Sequence, residues 1–287
     1  MERLYRGLLL AFAALLAASC TRLAYMNVAL AYSNATHLLS WTVDDYLDLS
    51  HPQKDFVHAR LDRAMAWHRS QELPEYRRFL ASVDERSGRP FSDEEVARAW
   101  ADVRADYARV VEHVLPDAAE LLASLDERQL AHLQRRFEED NRMFLRQSTR
   151  GTPAERRAEA AKRMTGHLRE WIGPLGDSQR AIVAAWAEAM APLAEERLAD
   201  RRYRQSQTLA LARTRDRARI AAGLHRLLLE TDSWRPPELA ARFHAREQAT
   251  LHMIAALSGT LSPAQRVHLQ DRIAGYMQDI TRLASSG

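Results

Sequence analysis

Along most of the chain, apolar residues recur at helical spacing. The clearest case is near the end. Leu269, Ile273, Tyr276, Ile280 and Leu283 alternate steps of four and three, the pattern of a helix buried on one face. Val57, Leu61, Ala64 and Trp67 mark another such segment, and Leu133 with Phe137 and Val183 with Trp186 and Met190 mark two more. A short helix is predicted over 37–47, with Leu38, Leu39, Trp41 and Tyr46. Further helices are predicted over 75–85, 154–171 and 238–257. A helix over 93–115 should break or kink at Pro116, which lacks the N–H for the helical ladder, and a short helix over 117–124 follows. The stretch 198–230 reads as one long helix, and Ser233-Trp234-Arg235-Pro236-Pro237 as a loop.

The helix starts share one form: Leu, then Ser, Asp or Gly, two residues, then Gln. It occurs at Leu49–Gln53, Leu125–Gln129, Leu175–Gln179 and Leu261–Gln265. This is a capping box, in which a side-chain oxygen accepts from the third helical N–H while the Gln reaches back to the cap's own N–H. Pro263 at the first helical position agrees with this. Only Leu130 supplies the apolar staple residue; the other copies carry Lys54, Arg180 and Arg266 there. Phe91-Ser92-Asp93-Glu94-Glu95, with Val96 as staple, and Thr152-Pro153-Ala154-Glu155 mark further starts. The copies pair: Leu125, Gln129, His132, Leu133, Gln134 and Arg136 recur as Leu261, Gln265, His268, Leu269, Gln270 and Arg272. Leu49, Gln53, Lys54 and Val57 recur as Leu175, Gln179, Arg180 and Val183. Two readings stay open: an internal duplication, or capping boxes before amphipathic helices that look alike by chance. The predicted architecture is all-α, a multi-helix bundle; on the duplication reading its related halves are 41–150 and 151–287, and the two can form one continuous domain.

Composition agrees with helix: 10 Gly, 10 Pro and few β-branched runs, against abundant Ala, Leu, Arg and Glu. The 41 Lys and Arg nearly balance 38 Asp and Glu, and a net charge of +3 makes no case for a nucleic-acid partner. The chain holds 1 cysteine, Cys20, so no internal disulfide can form and the fold relies on packing.

Cys20 closes a recognisable stretch. Arg3 and Arg6 precede an unbroken apolar run from Leu8 to Ala18, shorter than the roughly 20 residues a membrane span takes but suited to an export signal. Ala17-Ala18-Ser19-Cys20 resembles the bacterial lipobox, although Ala17 stands where that pattern favours a large aliphatic residue. The resemblance implies a signal peptide over 1–19, acylation of Cys20, and a lipidated N-terminus and tether over 20–40. More than one acyl chain is needed for stable anchoring. Thr21, not Asp, follows the cysteine, which by the same resemblance points to the outer membrane with the body facing the periplasm.

Candidate chemistry is sparse. The 11 histidines form no His-Glu-x-x-His pattern, so neither metal nor cofactor is expected. There is no phosphate-binding glycine loop and no Gly-x-Ser-x-Gly elbow. Glu138-Glu139-Asp140 reads as a solvated face. His132 and His268 should lie beside the core stripes. Trp67-His68-Arg69 with Glu72 is the most unusual cluster, since His68 and Glu72 stand one turn apart and can line a polar groove. Between 197 and 219 lie eight arginines. Arg197, Arg201, Arg204, Arg213, Arg215, Arg217 and Arg219 form either a candidate surface for an anionic partner, such as lipid headgroups, lipopolysaccharide or acidic protein segments, or an exposed helix face whose arginine stems cover apolar surface.

Several stretches together resemble an uncharacterised family of bacterial helical lipoproteins: Asp44–Leu49, Gln53, Trp67–Arg69, Glu72–Tyr76, Leu125–Gln134, Trp171, Leu175–Trp186 and Leu261–Gln265. The family implies a helical periplasm-facing lipoprotein and no activity. The Leu-Ser-x-x-Gln form is also similar, more distantly, to the Leu-Thr-x-x-Gln motifs of small periplasmic stress chaperones. The function expected is a non-enzymatic lipoprotein, anchored in membrane lipid through Cys20, whose helical surface binds envelope proteins or unfolded clients. A structural envelope scaffold is the alternative. The oligomeric state is open.

Overall fold

In the computed structural model the residues described are 32, 34–190 and 193–285. The export signal, Cys20 and the tether up to residue 31 lie outside them. The described residues form an all-helical bundle. Its helices are α1 (Ala35–Leu47), α2 (His51–Trp67), α3 (Leu73–Arg86), α4 (Asp93–Ala123), α5 (Glu127–Thr149) and α6 (Pro153–Ile172). They continue as α7 (Asp177–Ala189), α8 (Ala194–Arg213), α9 (Arg217–Leu229), α10 (Pro237–Ser258) and α11 (Pro263–Ser285). No described helix is long and apolar enough to cross a membrane.

The capping boxes form in full at Asp126 and Ser262, while Ser50 makes only the return half, Ser50 N–H to Gln53 Oε1 at 3.0 Å. Gln129 N–H donates to Asp126 Oδ1 (2.8 Å) while Asp126 N–H donates to Gln129 Oε1 (3.1 Å). Ser92 with Glu95 and Thr152 with Glu155 do the same, and Phe91 packs near Val96 as a staple. Gly176 has no side-chain oxygen to offer, so α7 keeps only the return half, Gly176 N–H to Gln179 Oε1 at 2.9 Å.

The capping glutamines then do a second job. Gln179 Nε2 donates to Gln265 Oε1 and Gln265 Nε2 donates to Gln179 Oε1, each at 2.9 Å. The remaining amide hydrogens reach Thr260 O (3.1 Å) and Pro174 O (2.8 Å). In the first half, Gln129 Nε2 donates to Gln53 Oε1 (2.7 Å) and Asp48 O (3.0 Å). Gln53 Nε2 donates to Gln129 Oε1 (3.3 Å) and Ser124 O (3.2 Å). In all four cases the backbone acceptor immediately precedes the partner motif's Leu. His132 and His268 add matching contacts, to Asp45 O (2.9 Å) and Glu170 O (3.3 Å).

Packing follows the same scheme on both sides. α1 meets α2 and α5 as α6 meets α7 and α11; α2 meets α4 as α7 meets α10. Each half also lends a helix to the other, α3 packing on α11 and α8 on α5. The largest core joins Leu47, Leu125, Leu130 and Leu133 of the first half to Leu209 and Ile220 of the second. A second core joins Tyr32, Leu39, Met65 and Leu73 to Ile280 and Leu283. Tyr32 and Ala35 are buried there, so the body begins before residue 41.

Three helix boundaries depart from expectation. α4 runs unbroken through Pro116. Val110, Val111, Ala119, Leu121 and Leu122 are buried on either side of the proline, and α4 packs on α9 and α10, so tertiary packing overrides one lost ladder bond. α3 does not start afresh at Glu75; a single π turn, His68–Glu72, joins it to α2. The long helix expected over 198–230 is two helices. Arg215 adopts a left-handed conformation (φ 55°), and Asp216 caps α9 by accepting from Arg219 N–H at 3.1 Å.

Candidate functional site

Three places carry the residues of interest. The first is the π turn. A π turn widens the helix by one residue and often marks a functional position. Here it turns both His68 and Glu72 inward, each 2% exposed. Trp67 stacks flat on His113, with ring centroids 3.7 Å apart. Glu72 takes a forked pair from Arg109, Nε to Oε1 at 3.1 Å and Nη2 to Oε2 at 3.0 Å, and Arg109 also holds Asp106 at 2.7 Å. Burial, and then the Arg69 charge, pull the His68 pKa down to about 4, so the imidazole is neutral at pH 7. Burial pushes the phenols of Tyr32 and Tyr76 well above their usual range. Tyr32 Oη and His68 Nδ1 share a hydrogen bond of 2.8 Å. His68 and Glu72 thus line no open groove; they form a closed, aromatic-walled core tie between α2, α3 and α4.

The second place is a partly open pocket of about 160 Å³ among α1, α2, α4, α5 and α9. Its wall is almost wholly apolar, with Leu39, Val57, Val111, Leu122, Phe137 and Leu224 among its residues. Its charged lining residues are Arg60 and Asp117, paired at 3.2 Å. The periodicity identifies these residues as core. It carries no sign that the core is incompletely filled.

The third place is the arginine segment. The split between α8 and α9 divides it, so the seven candidate arginines share no single face. Arg213, Arg215, Arg217 and Arg219 are exposed at the link, with Arg213 near Glu127 (3.7 Å) and Arg217 on Glu120 (3.1 Å). Arg197, Arg201 and Arg204 lie on one stripe of α8. Arg201 is only 5% exposed, so it belongs to no outer surface. These three, with Asp200, Arg235, Phe144 and Phe243, line a pocket of about 180 Å³ between α5, α8 and the segment leading into α10. Arg235, Asn141, Phe144 and Phe243 were not legible as site residues. Arg235 sits in a proline loop and the others in ordinary helical positions, with no spacing that ties them to α8.

Glu138 and Glu139 are exposed as expected, while Asp140 accepts from Tyr46 Oη at 2.7 Å. Among the described residues no group of His, Cys, Asp and Glu is placed to hold a metal ion.

Residues 45–239 match the model of a family of unknown function (DUF6279). The chain belongs to that family. The matched span runs from within α1 to the first turn of α10, so it includes the π turn, most of the apolar pocket and all of the arginine pocket except Phe243. No curated protein and no solved structure matches the chain. The family carries no assigned activity, in agreement with the resemblance drawn from the sequence, and nothing in the match links the chain to stress chaperones.

Proposed function

We propose that the protein is an envelope lipoprotein, tethered through acylated Cys20, whose helical body acts by binding a small apolar group and not by catalysis. The observation that supports binding is the partly open apolar pocket beside α2. Native cores close to crystal-like density, and voids much larger than a water molecule are few. A dry cavity on the order of 150 Å³ takes an apolar ligand of benzene size. The pocket at Val57 is of that order, about 160 Å³, and a segment of an alkyl or acyl chain matches its lining. The anchor reading rests on the Leu8–Cys20 stretch and its lipobox resemblance.

Titration of the full chain in neutral detergent with 1-aminoanthracene, a neutral apolar fluorophore, tests the binding reading. Saturable binding near one equivalent that is lost in Val57→Phe, which fills the pocket, supports it. Absence of binding, or binding that Val57→Phe leaves unchanged, refutes it.

A further inference from the structure

We propose that the pocket at Arg201 is a binding site for a phosphate-type oxyanion, an inorganic phosphate or a phosphate monoester group. This inference is independent of the apolar pocket. It starts from one buried cation, Arg201. Arg197, Arg201, Arg204 and Arg235 line the pocket, and Asp200 is the one acidic residue among the described lining residues.

Both oxygens of Asp200 are already committed. Oδ2 accepts from Arg204, and Oδ1 accepts from Arg235 Nε at 2.8 Å. Arg201 is left without a carboxylate within ion-pair distance among the described residues. Its Nε donates to Asn141 Oδ1 at 3.1 Å. A guanidinium that is 5% exposed and lacks a counter-charge is costly, because desolvation is not offset. Burial, and then the neighbouring Arg204, pull its pKa down to about 10, so it stays charged at neutral pH.

The pocket is also built to hold the cations still. Asn141 and Gln205 exchange hydrogen bonds, Asn141 Nδ2 to Gln205 Oε1 at 2.7 Å and Gln205 Nε2 to Asn141 Oδ1 at 3.3 Å. That pair fixes the acceptor for Arg201. The Phe144 ring lies 4.8 Å from the Arg201 guanidinium and 5.4 Å from that of Arg197. Phe243 and Trp234 lie 4.5 Å and 5.1 Å from that of Arg235. With the Arg201 face against Phe144 and its Nε on Asn141, its Nη groups are the donors that a ligand would meet. A carboxylate engages one such fork. Several guanidinium groups around a small pocket suit a ligand with more acceptors and up to two charges, which is the chemistry of phosphate. The anion would supply the counter-charge that Asp200 cannot.

The test is thermal unfolding of the full chain in neutral detergent, with potassium phosphate compared with potassium chloride at equal ionic strength. Dihexanoyl phosphatidic acid, kept below its micelle concentration, is the second probe. A ligand bound only by the folded state raises Tm saturably. Phosphate should raise the wild-type Tm by several degrees where chloride does not. Arg201→Met should weaken the response by about 30-fold or more in concentration, as expected for removal of one buried partner of a charge pair. If Arg201→Met does not fold, Arg197→Gln at the half-buried edge of the pocket serves instead, with an expected loss of about tenfold, as for a less buried partner. A response to inorganic phosphate equal to that for the lipid identifies free phosphate as the source. A response much stronger for the lipid identifies a headgroup. Equal shifts in phosphate and chloride, no shift with either probe, or a wild-type response in the folded variants would overturn the proposal.

Discussion

The side-chain amides of Gln179 and Gln265, 86 residues apart, exchange two hydrogen bonds of 2.9 Å. Each amide is thereby saturated. Its two hydrogens serve the partner amide and the carbonyl before the partner's Leu, and its oxygen takes the cap N–H and the partner. Glutamate caps a helix equally well but has no hydrogens to donate. This clasp thus explains why these starts carry Gln where Ser92 and Thr152 are followed by Glu95 and Glu155.

Replacing one clasp glutamine by Glu should cost more than removing its side chain from an exposed cap. Gln179 is 2% exposed, so Gln179→Glu brings a charge into a buried place and removes two donors. The expected loss is about 2–4 kcal/mol in urea unfolding, against about 1 kcal/mol for a simple cap. The double variant Gln179→Ala/Gln265→Ala should cost clearly less than the sum of the single variants, because each single change strands the other amide. Additive costs would show that the clasp contributes nothing beyond capping.

The buried Glu72–Arg109 pair makes a second prediction. Among the described residues Glu72 and Asp200 are the two buried carboxylates, and arginines hold both. Arg109→Met leaves Glu72 charged and unpaired, at an expected cost of about 3–5 kcal/mol. Arg109→Met/Glu72→Leu should recover much of that loss. A double variant no more stable than Arg109→Met would refute this account.

His68 sets a pH dependence. Its folded pKa of about 4 lies below the ordinary value of 6.5, so in that window the unfolded chain binds a proton that the folded chain does not. Stability therefore rises with pH from about 4 to 6.5, and the contribution is complete above that. The shift corresponds to about 3 kcal/mol. The difference in urea stability between pH 7.5 and pH 4.5 should shrink in His68→Phe. An unchanged difference would assign the dependence to other groups.

Arg215 carries positive φ without the freedom of glycine. Arg215→Gly should leave the fold intact and raise stability by about 0.5–1 kcal/mol, since left-handed backbone costs an L-residue roughly 1–2 kcal/mol while glycine adds unfolded-state entropy. A clear loss of stability would mean that the arginine side chain itself holds the link.

Cys20 predicts the anchor. Intact mass of membrane-extracted protein should begin at Cys20 and carry acyl chains, and Cys20→Ala should release the chain from the membrane fraction. An unprocessed, unacylated mass would overturn both the anchor and the envelope location.

What the sequence determined by itself is the local grammar. Helix existence, the capping boxes and the match between Leu125–Arg136 and Leu261–Arg272 depend on residues within a few positions of one another, where the ladder and the cap act. The same reasoning missed the α8–α9 break, because a lone left-handed Arg215 leaves no Gly or Pro in the sequence. It also broke α4 at Pro116, where burial of Val111, Ala119 and Leu122 holds the helix together. Only the tertiary structure decided that the capping glutamines meet, that Arg201 is buried instead of displayed, and that Arg235 shares Asp200 with Arg204. Which face of an amphipathic helix is covered, and by what, depends on segments 35 to 86 residues away for these contacts, beyond the reach of any short-range pattern.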